Sequence, residues 1–334
     1  MRFLRWLPCI LAVLIPGATS FADPPAGSRG KPWEAGAEAQ RAPALTADAK
    51  LARFTMQAAY RDCVANESEK SSARDISGFE PKPEGKYPVF VYLTGTLMKF
   101  NGPEAQLITH EMAKRGFVAA AVDYDNSAYP YCPAMTAKAK CIFDASAKTS
   151  ALSQLCARAK ADCTRGIVVA GFSQGANLAA LSGNAHPQVR AAYLMGHGDR
   201  ALNSIDVSRC ADDASTSLAP RALRSVNGEA DLFFGGNRAG VRKQLQKVVG
   251  AQCPDATRCE QADGSGWVII ENRELADGSA DHCYFFNKAN TYCSSYDGLD
   301  PAWQSGRQPW ALAPNLDWLA RQVADVPAPV SALK

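Results

Sequence analysis

The chain has 334 residues, of which 47% are hydrophobic and 21% are charged, and its formal net charge at neutral pH is +3. This length suits one α/β domain, and this composition is typical of a globular protein. The nearly balanced charge, without a basic stretch interleaved with aromatic residues, argues against a nucleic-acid partner.

The first 22 residues have the layout of a secretory signal peptide. Arg2 and Arg5 give a positive start, an apolar run covers 6–15, and Ser20 and Ala22 have the spacing of a cleavage site. The run is shorter than the roughly 20 residues that span a bilayer, which disfavours an uncleaved anchor. We therefore expect a secreted or periplasmic protein without a stable membrane anchor. A flexible leader is expected over 23–45 and a single domain over 46–334.

The cysteines also suit export. Loss of Cys9 with the signal peptide leaves ten of the 11 cysteines, an even number that can pair in an oxidising compartment. A bridge between Cys156 and Cys163 requires a helix to end between them, because seven residues of continuous helix span about 10 Å. No CxxC pair is present, so we expect no metal site. Local spacing favours the short bridges Cys132–Cys141, Cys156–Cys163, Cys253–Cys259 and Cys283–Cys293, which leaves Cys63–Cys210 as the fifth pair.

Strands and helices alternate along the rest of the chain. Strands are predicted at 51–62 (an antiparallel edge), 87–96, 117–126, 166–170, 189–196, 221–231 and 266–273. Helices are predicted at 102–116, 146–160, 176–184 and 315–326. Such alternation predicts the α/β class, with a mostly parallel central sheet and helices on both faces. Ligands of these sheets bind beyond the carboxyl ends of the strands, so candidate site residues are sought there.

A serine stands between a strand and a helix at residues 171–175, which read "GFSQG". A serine hydroxyl needs an adjacent base to act as a nucleophile, and a sharp turn between strand and helix exposes Ser173 to one. Close backbone contact in such a turn favours glycine at 171 and 175. The alternative is a glycine-flanked turn whose serine has no chemical role.

Two backbone N–H groups are candidates for an oxyanion hole beside Ser173. The N–H of Gln174 lies at the start of the helix, next to the serine. The second donor is expected in the turn after strand 87–96, where Gly95 lets the backbone turn and Thr96 follows. A structural interpretation, in which Gly95 simply ends the strand, stays open.

A base for Ser173 has to come from the four histidines of the chain. His282 follows the last predicted strand after a short polar loop, which is the expected edge of the sheet, and it is the preferred base. His197 also follows a strand and is the competitor. His110 is expected on the solvated side of its helix, and His186 is expected in a structural turn.

The acid that would orient this histidine is expected at a strand end as well. Asp231 ends "SVNGEAD", after the strand before the last, and is the preferred residue. Asp199 follows the preceding strand and is the alternative. Asp281 is disfavoured, because residues adjacent in sequence, as Asp281 and His282 are, rarely face each other in this way.

Over roughly residues 50–325 the chain resembles the α/β-hydrolase family. The matching residues are "GFSQG" with Ser173, "NGEAD" with Asp231 and "ADHCYF" with His282, in the order Ser, Asp, His. The resemblance implies an α/β-hydrolase fold and an acyl-transfer enzyme with an acyl-serine intermediate and no cofactor. It also implies that Thr96 and Gln174 supply the backbone donors. The "SQG" followed by small residues is similar to secreted cutinases and small carboxylesterases.

Two features depart from the family pattern. Thr94 and Gly95 stand where the family usually has His-Gly before the oxyanion turn, and the backbone donor does not depend on that side chain. A cysteine-bearing, aromatic insertion at about 283–310 separates His282 from the last helix. Its rings either wall a pocket or pack in the core, and packing is the expected fate of most of them.

The leading interpretation is a secreted serine hydrolase that acts on a small or polymeric carboxylic ester. A peptidase, a thioesterase or an acyltransferase with the same three residues is the first alternative, because the fold does not separate them. A non-catalytic binding protein on this fold is the alternative of another class, and it would be expected to lack a member of the Ser–His–Asp set.

Overall fold

The computed structural model describes residues 50–58, 74–202, 205–211, 216–254 and 256–323. The predicted signal peptide and the predicted leader over 23–45 lie outside these residues, as does Cys63. Within the described residues, no helix is of the length and apolarity that a membrane crossing requires.

The strands are β1 Leu51–Ala58, β2 Arg74–Pro81, β3 Val89–Leu93, β4 Val118–Val122, β5 Ile167–Phe172, β6 Val189–Met195, β7 Arg200–Ala201, β8 Ile205–Asp206, β9 Leu223–Gly228, β10 Arg258–Glu260 and β11 Gly266–Ile270. The helices are α1 Pro103–Lys114, α2 Cys132–Phe143, α3 Ala151–Cys156, α4 Gln174–Ala185, α5 Ser208–Ala211, α6 Arg238–Val249, α7 Pro301–Ser305 and α8 Leu312–Ala320.

Nine of the described strands form one sheet in the order β1-β2-β4-β3-β5-β6-β9-β11-β10. The six strands from β4 to β11 run parallel, whereas β1, β2 and β10 pair antiparallel at the edges. The sheet therefore places the carboxyl ends of β3, β5, β6, β9 and β11 side by side along one edge. The predicted site residues all follow these strands.

The core lies on both faces of this sheet. Alternate residues of β3 belong to two separate clusters of buried side chains, with Val91 in one and Tyr92 in the other. The first cluster includes side chains of α2, α4 and α6, and the second includes side chains of α1 and α8. Helices thus cover both faces, as the strand–helix alternation predicts. The architecture is an α/β-hydrolase fold.

Several elements differ from the predictions. The helix predicted over 146–160 is reduced to α3, which Ser150 caps through its side chain and which ends at Cys156. Helix α2, helix α6 and strand β2 have no counterpart among the predicted elements. The predicted antiparallel edge strand is present as β1, and it pairs with β2 from Leu51↔Pro81 to Ala58↔Arg74.

The disulfides confirm three of the five predicted pairs. Cys156–Cys163, Cys253–Cys259 and Cys283–Cys293 are bridged, and the first closes because α3 ends at Cys156. The predicted pairs Cys132–Cys141 and Cys63–Cys210 are wrong, because Cys132 is bonded to Cys210 instead. Cys141 is disulfide-bonded as well. The bridge Cys132–Cys210 spans 78 residues and ties the start of α2 to α5.

Candidate active site

The backbone of Ser173 has a conformation that L-amino acids rarely adopt. Its φ is 54° and its ψ is −118°, at the junction between β5 and α4. A non-glycine residue in such a region costs on the order of 1–3 kcal/mol and persists where the surrounding structure imposes it, often at a functional site. Ser173 precedes α4, yet its hydroxyl makes no capping hydrogen bond to that helix. The side chain therefore has no helix-capping role.

The two glycines of the motif allow this turn. A Cβ atom at Gly171 would overlap the carbonyl oxygen of Gly175, and one at Gly175 would overlap the carbonyl oxygen of Leu93. The obstructing atoms belong to the backbone and cannot rotate away. The N–H of Ser173 donates to the carbonyl of Met195 at 2.8 Å, which ties the turn to the end of β6. The glycines at 171 and 175 are thus explained by close backbone approach, as the sequence predicts.

His282 and Asp231 are joined by a hydrogen bond. His282 Nδ1 lies 3.0 Å from Asp231 Oδ2, and both side chains are buried. The other oxygen of Asp231 accepts from the N–H groups of Phe233 and Phe234, at 2.9 and 3.0 Å. These two bonds fix the carboxylate, so the aspartate is placed to orient the imidazole with Nε2 facing away from it.

Aromatic rings surround the imidazole of His282. The ring centroids of Phe233 and Phe172 lie 4.6 and 4.7 Å from it, and that of Phe234 lies 5.5 Å away. A Cβ atom at Gly196 would be 2.9 Å from His282 Cε1, so the imidazole lies directly against that glycine. Because Gly196 follows Met195, the imidazole lies beside the strand end that binds Ser173. The contact between Ser173 Oγ and His282 Nε2 stays a prediction.

The alternative base and acids have other partners or surroundings. His197 is fully buried, and burial lowers its pKa to about 3. Asp199 forms an ion pair with Lys247. Asp281 accepts the N–H of Cys283 at 2.7 Å. Of the predicted acids, Asp231 is the one that the structure brings to His282.

The two remaining histidines are both buried. His186 follows α4, and its Nδ1 accepts the N–H of Gln188, which fits the predicted structural turn. The prediction that His110 is solvated is wrong: it is 9% exposed and its ring packs edge-on against Phe79 at 5.2 Å. Phe79 belongs to β2, and that strand was not among the predicted elements.

Thr96 and Gln174 both keep a backbone N–H free. Among the described residues, neither of these N–H groups donates a hydrogen bond to the protein. Their side chains are joined, because Gln174 Nε2 donates to Thr96 Oγ1 at 2.9 Å. The two groups follow β3 and β5, which are neighbours in the sheet. The two residues are therefore neighbours at this edge of the sheet, and their action as an oxyanion hole stays a prediction.

Two residues that the sequence analysis did not single out brace this region. Asn126 Nδ2 donates to the backbone carbonyls of Gly95 and Met98, at 2.7 and 2.8 Å. The backbone carbonyl of Asn126 accepts a hydrogen bond from the N–H of Leu97 at 2.9 Å. Lys138 is 6% exposed and lies 3.4 Å from the side-chain oxygen of Gln174. Asn126 follows strand β4, so a search for polar residues after each central strand would have found it.

The structure gives no indication of a metal ligand set in the part of the chain that it describes, where no three His, Cys, Asp or Glu residues are grouped. Most of the aromatic residues of the predicted insertion are buried in the core, whereas Tyr292 is exposed. Tyr284, Phe285, Phe286, Trp303 and Trp310 are each no more than 2% exposed. They brace the loop that carries His282, with Phe285 packed edge-on against Phe172 at 4.7 Å.

Comparison with known proteins yields distant structural likenesses. No protein-family model and no curated protein matches the chain. The esterase Est22 is 15% identical, over 60% of this chain and 71% of its own, with a TM-score of 0.40. An esterase from Pyrobaculum calidifontis is 15% identical, over 61% of this chain and 70% of its own, with a TM-score of 0.39. A fungal esterase from Rhizomucor miehei is 12% identical, over 66% of this chain and 73% of its own, with a TM-score of 0.41. At these scores, the functional argument depends on the chain's own residues.

Proposed function

We propose that this protein is an exported serine hydrolase that cleaves carboxylic esters, with Ser173 as nucleophile, His282 as base and Asp231 as the orienting acid. The observation that carries the proposal is the conformation of Ser173. The φ of 54° and ψ of −118° place a serine that caps no helix on a sharp turn between strand and helix, which is the position from which a nucleophile has to project. The hydrogen bond between His282 and Asp231 at the same sheet edge supports the assignment.

In the first half of the proposed reaction, Ser173 Oγ attacks the ester carbonyl carbon while its proton moves to His282 Nε2. Asp231, hydrogen-bonded to Nδ1, stabilises the imidazolium that results. The carbonyl oxygen becomes an oxyanion and accepts hydrogen bonds from the backbone N–H groups of Thr96 and Gln174. The bond to the alcohol oxygen then breaks, His282 returns its proton to that oxygen, and an acyl-serine remains.

In the second half, water takes the place of the alcohol. His282 removes a proton from the water as its oxygen attacks the acyl carbon, and the oxyanion again binds at Thr96 and Gln174. When the bond to Ser173 Oγ breaks, His282 returns the proton to the serine and the carboxylic acid leaves. No step requires a metal or an organic cofactor.

The test is hydrolysis of 4-nitrophenyl acetate by wild type, Ser173→Ala and Ser305→Ala. Ser173→Ala is expected to lower turnover by about a million-fold, since loss of a triad nucleophile leaves only the contributions of binding and the oxyanion hole. Ser305 is exposed and donates to the carbonyl of Pro301, so its alanine variant controls for the loss of a hydroxyl. Undiminished hydrolysis by Ser173→Ala would contradict the proposal. Amide and thioester analogues of the same acyl group separate an esterase from a peptidase or a thioesterase.

The proposal of export rests on the first 22 residues and on the disulfides. Four bridges join described cysteines, and such bonds persist in oxidising compartments. We expect the mature protein to begin at Asp23. Mass spectrometry of the protein recovered outside the cytoplasm gives its first residue, and a protein that retains Met1 there would contradict signal-peptide cleavage.

A further inference from the structure

The large hydrophobic residues that are exposed lie at one edge of the molecule. Among the described residues they are Leu97, Tyr131, Leu202, Leu232 and Tyr292. Leu97, Tyr131 and Leu232 lie in the loops that follow β3, β4 and β9, on the side of the sheet that carries Ser173 and His282. Leu202, in the turn between β7 and β8, and Tyr292, in the loop after His282, both contact Phe233 near the same edge. Single exposed apolar residues are normal on protein surfaces, whereas residues that adjoin one another in a patch are typical of a binding surface.

Three of these residues surround Phe233, and with it they form what we call the Phe233 rim: Leu202, Leu232, Phe233 and Tyr292. The N–H of Leu202 donates to the carbonyl of Phe233 at 2.8 Å, and Leu232 precedes Phe233 in the chain. The ring of Tyr292 lies edge-on to that of Phe233, with the centroids 6.3 Å apart. Leu202, Leu232 and Tyr292 are 50%, 56% and 66% exposed.

The rim is continuous with the candidate base. The ring of Phe233 lies 4.6 Å from the imidazole of His282, measured between centroids, and the N–H of Phe233 donates to Asp231. Strand β5, which carries Ser173, lies between β3 on one side and β6 on the other. Thr96 follows β3, whereas the imidazole rests against Gly196 after β6. Thr96, one of the two candidate oxyanion donors, and the rim therefore lie toward opposite sides of Ser173.

The proposed chemistry decides which half of an ester faces the rim. His282 has to give its proton to the alcohol oxygen, so that oxygen must come within hydrogen-bond reach of Nε2. The acyl carbonyl oxygen points the other way, toward Thr96 and Gln174. The substituent on the alcohol oxygen then extends past His282 toward the Phe233 rim, because the ring of Phe233 lies 4.6 Å from the imidazole between centroids.

We infer that the Phe233 rim binds an apolar group on the alcohol half of the ester, and this inference rests on the proposed function. Removing apolar surface from water is favourable, so an apolar alcohol group gains affinity by covering Leu202, Leu232 and Tyr292. The substrate class is thus esters of apolar alcohols, with an alkyl or aryl group attached to the leaving oxygen.

Two isomeric esters test the side of the bond. Hexyl acetate and ethyl hexanoate have the same atoms, but the long chain is on the alcohol in the first and on the acyl group in the second. The wild type is expected to have the higher kcat/KM with hexyl acetate. The variants Leu232→Ser and Tyr292→Ser are expected to reduce the ratio of the two kcat/KM values by about tenfold. Tyr292→Phe keeps the ring and should keep the ratio.

Tyr131→Ser is the matched control, because Tyr131 is 63% exposed at the same edge and is not part of the rim. It should leave the ratio at the wild-type value. A ratio unchanged in both rim variants, or a larger loss with ethyl hexanoate, would overturn the inference. A shift from dimer to monomer in Leu232→Ser without a change in ratio would show that a second copy covers the rim, which also overturns it. Cleavage of 4-nitrophenyl acetate but of neither isomeric ester by the wild type would also overturn the inference, whereas failure with all three esters would remove the proposed function itself.

Discussion

Asp231 and Asp199 both follow strands of the central sheet, and the difference between them is made by their partners. Asp231 binds His282 Nδ1 at 3.0 Å, while Asp199 is paired with Lys247. A carboxylate already neutralised by a lysine has little capacity to orient a histidine as well. At the scale of single residues, the site is therefore defined by which charged groups meet after the chain has folded.

Asp231→Asn is expected to lower kcat by about ten-thousand-fold, because an amide no longer holds the imidazole in the tautomer that leaves Nε2 unprotonated. Steady-state hydrolysis of 4-nitrophenyl acetate measures it. Asp199→Asn is the matched control, since it removes the same charge at the neighbouring strand end, and its kcat should stay within a few-fold of wild type. Equal losses in the two variants would contradict the assignment of Asp231.

Ser173, Asp231 and His282 could be predicted from the sequence, because each follows an apolar strand and each role requires a particular side chain. The pairing of His282 with Asp231 across 51 residues needed the further rule that parallel strand ends share one edge. The burial of His110 could not be predicted from the sequence, because it depends on a contact with Phe79 of β2, a strand that the sequence pattern does not indicate. Segment 74–81 contains charged residues, Gly78 and Pro81, which hide its strand character.

At the scale of elements, a strand or helix can be predicted when the residues that determine it lie within its own segment of the sequence. Central strands such as β3 and β5 are short apolar runs and were predicted close to their observed bounds. Helix α6 also has local signals at both ends: Asn237 caps its first turn, and Gly250 ends it in the left-handed conformation. The bridge Cys132–Cys210 could not be found in this way, because it depends on how α2 and α5 meet.

We expect the disulfide Cys283–Cys293 to hold the loop that positions the imidazole of His282. Cys283 follows His282, and Cys293 follows Tyr292, whose ring packs on Phe233 beside His282. The double variant Cys283→Ser/Cys293→Ser frees this loop. We expect kcat to fall by about tenfold or more, since small misplacements of a catalytic group are costly.

The control for this loop is Cys253→Ser/Cys259→Ser, which removes a bridge of similar span at β10, the outer strand of the sheet. Both double variants should unfold at lower temperature than wild type, because each loses a native disulfide. Only the first should lose turnover at a temperature where both are folded. Wild-type kcat in the Cys283→Ser/Cys293→Ser protein would show that the bridge merely braces the fold.

At the scale of the whole molecule, two carboxyl groups of helix α1 should make stability depend on pH in opposite ways. Burial raises the pKa of Glu104 from 4.5 to about 8. Burial alone would raise the pKa of Glu111 too, but the neighbouring His110, Lys114 and Arg115 outweigh it and bring that pKa to about 2. The folded protein therefore holds Glu104 neutral and Glu111 ionised at neutral pH.

Between pH 4.5 and 8 the unfolded chain ionises Glu104 while the folded protein keeps it protonated. The stabilisation linked to this proton is full below pH 4.5 and is lost as the pH rises to 8, with a slope of at most about 1.4 kcal/mol per pH unit. The free energy of unfolding of Glu104→Gln, relative to wild type, should thus increase from pH 6 to pH 8. Urea unfolding at pH 6, 7 and 8 measures it.

Glu111→Gln is the control on the same helix. Glu111 is ionised in both states above about pH 6, because its pKa is about 2 when folded and ordinary when unfolded, so its variant should differ from wild type by a constant amount over this range. The stability that Glu111 contributes is lost only as the pH falls toward 2. A Glu104→Gln curve parallel to wild type from pH 6 to 8 would show that the buried carboxyl does not retain its proton.

The central claim is that Ser173 is a nucleophile activated by His282. Its most direct measurement is labelling with a fluorophosphonate, which forms a covalent bond with an activated serine, followed by mass spectrometry of the digested protein. The wild type should carry one phosphonate on Ser173, and His282→Ala, if folded, should label far more slowly at that residue. A label on another serine, or labelling of Ser173 at the wild-type rate without the imidazole, would contradict the account.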